Sequence, residues 1–193
     1  MTNPAGYVIR DYLRSDEPSW LRCRVLSFLA TAYFDDVATS KPRIEAPGVQ
    51  LVALTAYDEV VGLMDVVVED TAGSIATLAV DPDHQRHGIA RTLLAHAVTR
   101  LQTLDLAAVT AWTRDDSATL QWYRAMGFTE SDHYLHVFAN SDINPKEPAR
   151  AVQSTRPGLQ LVSAFLHAEL TDELRLRKQF ARVHVCRRFT MEL

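Results

Sequence analysis

The residues of this chain best suited to chemistry lie in one stretch, Leu78-Ala79-Val80-Asp81-Pro82-Asp83-His84-Gln85-Arg86-His87-Gly88-Ile89-Ala90-Arg91-Thr92-Leu93-Leu94. An apolar run ends at Asp81-Pro82, a turn carrying Gly88 follows, and apolar residues then recur at helical spacing. Pro82 biases Asp81 toward an extended backbone, which ends the strand before the turn. A helix starting at such a turn presents backbone N–H groups without intrahelical partners and a partial positive charge of about half an elementary unit. Gly88 and Ala90 carry little or no side chain, so a diphosphate could approach the backbone, and Arg86 and Arg91 flank the turn with positive charge. The turn alone leaves two readings open: an anion site, or a tight connection with solvated arginines. It is not a Walker loop, because no Gly-Lys-Ser/Thr follows, and it lacks the three glycines of a dinucleotide fingerprint.

Periodicity supplies the elements that must hold this turn. Residues 7–13 predict an opening strand. Ser15 and Asp16 can cap a helix with Pro18 in its first turn. Its apolar positions Leu21, Val25, Phe28, Leu29 and Ala32 predict one buried face, running to about Phe34. Residues 35–48, with Pro42 and Pro47, read as loop. Segments 50–57 and 60–69 are rich in β-branched residues and flank the turn pair Asp58-Glu59; 70–73 make a second turn, and 74–80 the next strand. Ile89, Leu93, Leu94, Ala97, Leu101 and Leu104 form the stripe of a helix from Gly88 to about Leu104.

Beyond it, 106–113 predict a strand, 115–126 a short helix with Gly127 at the left-handed C-terminal position, and 128–139 another strand. Pro145, Pro148 and Pro157 mark 140–158 as loop. Residues 159–166 fit a strand or a helix equally. Thr171 opens a helix with acidic residues first and basic residues last, as the helix dipole favours. Residues 181–192 alternate as a half-buried closing strand, which pairs either with 128–139 or with a second subunit, making a homodimer possible.

The chain has 193 residues, 47% apolar and 23% charged, a composition that excludes a disordered or collagen-like chain. Its net charge of −4 argues against a general nucleic-acid binder and fits small-molecule or cationic partners. Two cysteines, Cys23 and Cys186, make no disulfide scaffold and read as small buried hydrophobes. Seven histidines without ligand spacing argue against a metal site. Residues 1–6 lack the basic start and apolar run of a signal peptide, and Val60–Val68, interrupted by Asp65, is too short to cross a bilayer. The expectation is a cytoplasmic protein with no membrane partner.

Gln85-Arg86-His87-Gly88-Ile89-Ala90 resembles the Gln/Arg-x-x-Gly-x-Gly/Ala motif of the GCN5-related N-acetyltransferases (GNAT). A strand ending Leu-Ala-Val-Asp-Pro precedes it. The later Trp122-Tyr123-Arg124-Ala125-Met126-Gly127-Phe128 is similar to the family's Leu-Tyr-x-x-x-Gly-Phe signature, with Trp122 in the leucine place. The resemblance covers roughly 7–139 and the final strand; 140–180 match nothing in the family pattern. It implies an α/β (α+β) fold: a mixed, mostly antiparallel central sheet splayed around the acyl-CoA site, with helices on both faces. It further implies one domain over 1–193, with 140–180 as an insertion before the last strand.

By the same resemblance, backbone groups of Leu78, Ala79 and Val80 would pair with the pantetheine arm of acetyl-CoA. The turn Gln85, Arg86, His87, Gly88, Ile89 and Ala90, with Arg91 nearby, would hold its pyrophosphate. Tyr123 would protonate the departing thiolate. The sequence departs from the family in two places. Asp116 stands where an asparagine often bonds the CoA arm, and a carboxylate only accepts hydrogen bonds. Strand 74–80 carries no carboxylate for a general base. Asp65 is the first candidate for that base, against the alternative of a charge on an exposed face; His133 and His136 are further candidates, on opposite faces of their strand.

The implied activity is direct acetyl transfer from acetyl-CoA to the primary amine of a small molecule or protein, without a metal. A non-catalytic CoA-binding regulatory or sensor module of the same fold is the alternative, and a longer acyl donor is also open.

Overall fold

Runs of β-branched residues separated by two-residue turns make antiparallel hairpins, and that local rule builds the first half of the chain. The structure, a computed structural model, describes residues 6–193. Residues 1–5, most of the stretch read as lacking a signal sequence, lie outside the described residues. The chain divides into two compact units interleaved in sequence. The first comprises residues up to Ala111, with Trp122–Thr129 and Thr190–Leu193; the second comprises Trp112–Gln121 and Glu130–Phe189.

In the first unit, β1 (Val8–Asp11), β2 (Val49–Leu54), β3 (Val60–Glu69) and β4 (Ala72–Val80) pair antiparallel in that order. The turn between β3 and β4 is shorter than its sequence suggests, because Asp70 takes a left-handed backbone (φ 49°) and pairing resumes at Ala72. The start of β5 (Ala108–Arg114) then joins β4 in parallel. Helix α1 (Glu17–Leu29) covers one face of this sheet, with Trp20 and Cys23 packed among Val52, Leu54, Leu63 and Ala79.

The buried face of α1 is not the predicted stripe. Trp20, Cys23, Arg24 and Ser27 are buried, whereas Leu29 is 64% exposed and Leu21 and Phe28 are half-buried. Two polar residues on that face make hydrogen bonds there. Arg24 donates to the Asp36 carbonyl at 2.6 Å and to its carboxylate at 2.8 Å, and Ser27 donates to the Cys23 carbonyl at 2.7 Å.

Helix α2 (Ile89–Thr103) covers the other face through Ile89, Leu93, Leu94, Ala97 and Leu101, as the periodicity predicts, whereas Leu104, the last residue of the predicted stripe, lies beyond the helix and is exposed. It can sit that low because β3 has a glycine beneath it. A Cβ on Gly62 would fall 2.5 Å from Ile89 Cγ2 and 3.1 Å from Ala53 Cβ.

In the second unit the outer half of β5 is followed across the sheet by β8 (Arg182–Glu192), β6 (Thr129–Asn140) and β7 (Ser163–Ala168). The closing strand therefore neighbours β6 of its own chain, and the ambiguous segment 159–166 contributes to strand β7, its first four residues lying outside it. One face of these strands packs Leu135, Val137, Ala139, Val183 and Val185 against Leu176 of α5 (Glu173–Gln179) and the following Phe180. The stretch 140–158, read as loop, contains the short helix α4 (Glu147–Ala151). The physical reason is Glu147, only 1% exposed, whose carboxylate accepts from the N–H of Ala181 at 2.7 Å and of Asn140 at 3.2 Å. Among the described residues no helix is long and apolar enough to cross a membrane.

Gly62→Val is expected to destabilise the protein by about 1–3 kcal/mol, since the added side chain must push α2 off the sheet. A urea-unfolding midpoint indistinguishable from wild type would show that α2 does not depend on this close approach.

Candidate active site

β4 lies inside the sheet, so both of its edges should be hydrogen-bonded. On the β3 side it is paired from Ala72 to Val80, with one irregularity: Asp65 opposes Thr77 and Val66 opposes Ile75, leaving Ala76 as an extra residue. On the β5 side the parallel ladder has only four rungs, Ala72–Ala108 to Ile75–Ala111. Beyond Ile75, β4 runs on through Leu78, Ala79 and Val80 with an open edge. Its side chains report the same opening, for Ala76 is exposed and Leu78 half-buried in an interior strand. On that edge the Val80 carbonyl accepts from the side-chain amide of Gln85 at 3.1 Å.

The strand leads directly into the glycine turn. Asp81, 4% exposed, accepts from the Asp83 N–H at 3.0 Å and so sets a single 3-10 turn over Pro82–His84. Tyr7 Oη lies 3.0 Å from His84 Nδ1, which ties this turn to the entrance of β1. Arg86 (φ 64°) and Gly88 (φ 81°) both take left-handed conformations, and α2 begins at Ile89. Among the described residues no side chain caps that helix terminus, and Gln85, Arg86, His87, Gly88 and Arg91 are all exposed around it. A Cβ on Gly88 would meet nothing within 4 Å, so the glycine is required by its backbone angle and leaves open space outside the turn. Uncapped N–H groups, a helix dipole and two exposed arginines make a surface for an oxyanion.

Tyr123 lies in α3 (Ser117–Ala125) and is 5% exposed, with its ring edge-on to Trp122 and Phe128 at 5.1 and 5.2 Å. Burial, and secondarily Tyr33, push its phenol above the ordinary range, so it holds its proton. Gly127 (φ 91°) lets the chain turn back so that Phe128 N–H donates to the Tyr123 carbonyl at 3.1 Å. Asp116 caps the same helix: Oδ1 accepts from Thr119 N–H at 2.8 Å and from its hydroxyl at 2.7 Å. That carboxylate oxygen is engaged in the cap.

Asp65 is 2% exposed on β3. Its partner is a residue that periodicity could not flag, Lys41 of the loop between α1 and β2, whose Nζ lies 3.1 Å from Asp65 Oδ1. The Lys41 ammonium donates to Gln50 Oε1 at 2.8 Å and sits 4.6 Å from the Tyr12 ring and 5.3 Å from the Trp20 ring. Its backbone N–H donates to Glu17 Oε1 at 2.8 Å. Asp65 Oδ1 itself receives no directed hydrogen bond, so its contact with Lys41 is one of opposite charges. Burial raises the Asp65 pKa to about 6, and Lys41 limits the rise. Of the two histidine candidates, His133 is exposed and lies 3.4 Å from Glu130, whereas His136 is buried. Among the described residues no group of three or more His, Cys, Asp or Glu is placed to hold a metal ion.

An open strand edge running into an uncapped, glycine-led helix can hold an extended chain along the strand and an oxyanion at the helix terminus. Residues 47–130 match the model of the acetyltransferase (GNAT) domain. Over 81 residues it is 33% identical to the [ribosomal protein bS18]-alanine N-acetyltransferase of Salmonella typhimurium, a match covering 40% of this chain and 53% of that protein. The Escherichia coli counterpart is 32% identical over 77 residues, covering 39% and 51%. The match thus spans about half the length of these curated relatives.

Three solved structures share the fold. The ribosomal-protein-S18-alanine N-acetyltransferase from Escherichia coli superposes over 96% of this chain and 93% of its own, with a TM-score of 0.63 and 14% identity. The IAA acetyltransferase from Bacillus cereus gives 0.55 and 19% over 97% and 99%. A GNAT family acetyltransferase from Elizabethkingia anophelis, crystallised with acetyl-CoA bound, gives 0.51 and 17% over 98% and 99%.

The buried carboxyl of Asp65 has a testable signature. Its folded pKa, about 6, lies above the ordinary 3.8, so the folded state holds this proton more tightly than the unfolded chain. The resulting stabilisation is complete below the unfolded value and is lost as pH rises through about 6. Between pH 4 and 7 the wild type should lose on the order of 2 kcal/mol relative to Asp65→Asn, measured by urea unfolding at each pH. Parallel stability curves for the two proteins would mean that Asp65 does not titrate differently on folding.

Proposed function

We propose that this protein is an acetyl-CoA-dependent N-acetyltransferase that moves the acetyl group directly to a primary amine of a small molecule or protein. The observation that carries the reading is the open edge of β4 from Leu78 to Val80, continuous with the uncapped turn before α2. An extended amide-bearing chain along that edge would supply the hydrogen bonds that β5 does not. Its pyrophosphate would then lie on the amides of Arg86 to Ala90, with the Arg86 and Arg91 guanidiniums adding charge. Gln85 and His87 would shape the turn, and Ile89 would anchor it through the core. In this reading the whole of 1–193 works as one cytoplasmic domain, with 140–180 shaping the acceptor side.

The chemistry follows from bond accounting. The neutral amine nitrogen adds to the thioester carbonyl, giving a tetrahedral intermediate. The C–S bond then breaks, and the departing thiolate takes a proton from the Tyr123 hydroxyl, a donor kept protonated by its burial. The amine has meanwhile acquired a proton too many, and Asp65, with a pKa of about 6, is suited to receive it at neutral pH. The curated relatives are named for an alanine of ribosomal protein bS18, an acceptor within this class.

Three variants test the reading. Tyr123→Phe should lower kcat by about 10²-fold while acetyl-CoA affinity stays the same; unchanged turnover would remove Tyr123 from the mechanism. Gly88→Glu should weaken acetyl-CoA binding by bulk, backbone strain and like charge, and an unaltered Kd in a folded variant would sink the placement of the diphosphate. For Asp65, kcat/KM of the wild type should rise with pH through about 6, and Asp65→Asn should lack that limb. Tight binding of CoA with no thiol release against a panel of amines would instead identify a binding module.

A further inference from the structure

Asp65 stands opposite the place where β4 parts from β5. The ladder to β5 ends at Ile75, Ala76 is the extra residue, and Asp65 opposes Thr77 just beyond it. There its side chain is 2% exposed, and a carboxylate stripped of water takes up a proton unless a charge or hydrogen bonds hold it ionised. The charge set against it is Lys41, itself 3% exposed, with Nζ 3.1 Å from Oδ1. Gln50 of β2 and Thr77 of β4 oppose Asp65 in register, and both are uncharged. Tyr12, just before α1, is a further titratable group that feels Asp65; burial raises its pKa, so it stays neutral. The acids nearby are engaged elsewhere, Glu17 by the Lys41 N–H and Asp16 by Arg10.

The ammonium is held so that it supplies charge without occupying the carboxylate oxygen. It donates to Gln50 Oε1 at 2.8 Å and lies against the rings of Tyr12 and Trp20, while Asp65 Oδ1 receives no directed hydrogen bond. An oxygen in that state is balanced at short range by a cation and keeps a lone pair for an incoming proton. Holding the loop in place does not account for the pair. Apolar side chains of similar size are commonly as stabilising in a buried site as two opposite charges. The loop backbone also has a tie of its own, the hydrogen bond from Lys41 N–H to Glu17.

We propose that Lys41 is a positioning residue for acetyl transfer: its ammonium keeps the buried Asp65 carboxylate charged, ready to take the proton of the acceptor amine. The inference rests on the reading of Asp65 as general base. The same charge serves the return step. Once Asp65 has taken the proton it stands beside a cation, so the proton passes on to water more readily than it would from an apolar site. In this role Lys41 exchanges no proton and forms no bond with the acetyl group.

The test is a carboxyl-carbon NMR titration of the full-length protein, with the Asp65 signal assigned by its absence from Asp65→Asn. It is paired with the pH profile of kcat/KM for acetylation of a short peptide beginning with alanine. In the wild type the carboxyl should titrate at about 6. Lys41→Met, and Lys41→Gln as a second neutral variant, should move that midpoint up by about one pH unit or more, as loss of an opposite charge within about 4 Å implies. The limb of kcat/KM should move with it, and activity should return at alkaline pH. Lys41→Arg should keep both near their wild-type positions, and Arg43→Gln, on the same loop and paired with Glu45, should leave them unmoved. A Lys41 that merely holds the loop would lower the rate equally at every pH and leave the midpoint fixed, which overturns the proposal. A folded Lys41→Arg whose midpoint matches that of Lys41→Met overturns it too. A wild-type profile with no limb overturns the reading of Asp65 as base, whereas a wild-type limb that the neutral variants leave in place overturns the role of Lys41 alone.

Discussion

A β-strand inside a sheet has hydrogen-bonding groups on both edges, and leaving one edge open is costly unless water or a ligand fills it. In this protein β4 is paired with β3 along its whole length and with β5 over four rungs only. Much of the first unit supports that opening. The extra residue Ala76 sits just after the last rung to β5, where a bulge sharpens the local twist. Helix α2, held close by Gly62, then presents its uncapped terminus where the open edge ends. The turn between them contains two left-handed residues, and Asp81 fixes its entry with a buried carboxylate. The strand edge offers hydrogen bonds to an extended chain, and the helix dipole offers positive charge to an anion.

Buried charged residues serve the fold in different ways. Lys41 and Asp65 close the loop after α1 onto the sheet, with two aromatic rings and an amide oxygen replacing the water around the ammonium. Such a pair contributes more to where the loop lies than to net stability, since desolvation offsets much of the attraction. Glu147 gathers two backbone N–H groups from distant parts of the second unit onto its carboxylate.

The parts legible in the sequence are those set by neighbouring residues. The stripe of α2 and its buried residues agree, as does the left-handed Gly127. The strand, turn and helix from Leu78 to Leu94 could be read because each step has a local cause: Pro82 before the turn, Gly88 at it, and period 3.6 after it. The stripe of α1 misled, since Arg24 and Ser27 occupy buried positions whose hydrogen bonds are set by the folded chain. Helix α4 was missed because a five-residue helix has too few turns to show a period, and its anchor is a long-range carboxylate.

Asp65 marks the boundary most clearly. The sequence by itself determined that a carboxylate interrupts an apolar strand, and that a glycine-bearing turn into a helix follows the next one. It also determined the order of strands and helices up to β6, because periodicity, prolines and glycines act over a few residues. Only the tertiary structure decided that Lys41, 24 residues from Asp65 along the chain, would meet it. The same holds for the end of the β4–β5 ladder at Ile75. Those arrangements depend on contacts between segments far apart in sequence, where burial and hydrogen-bond satisfaction outweigh the preferences of any single stretch.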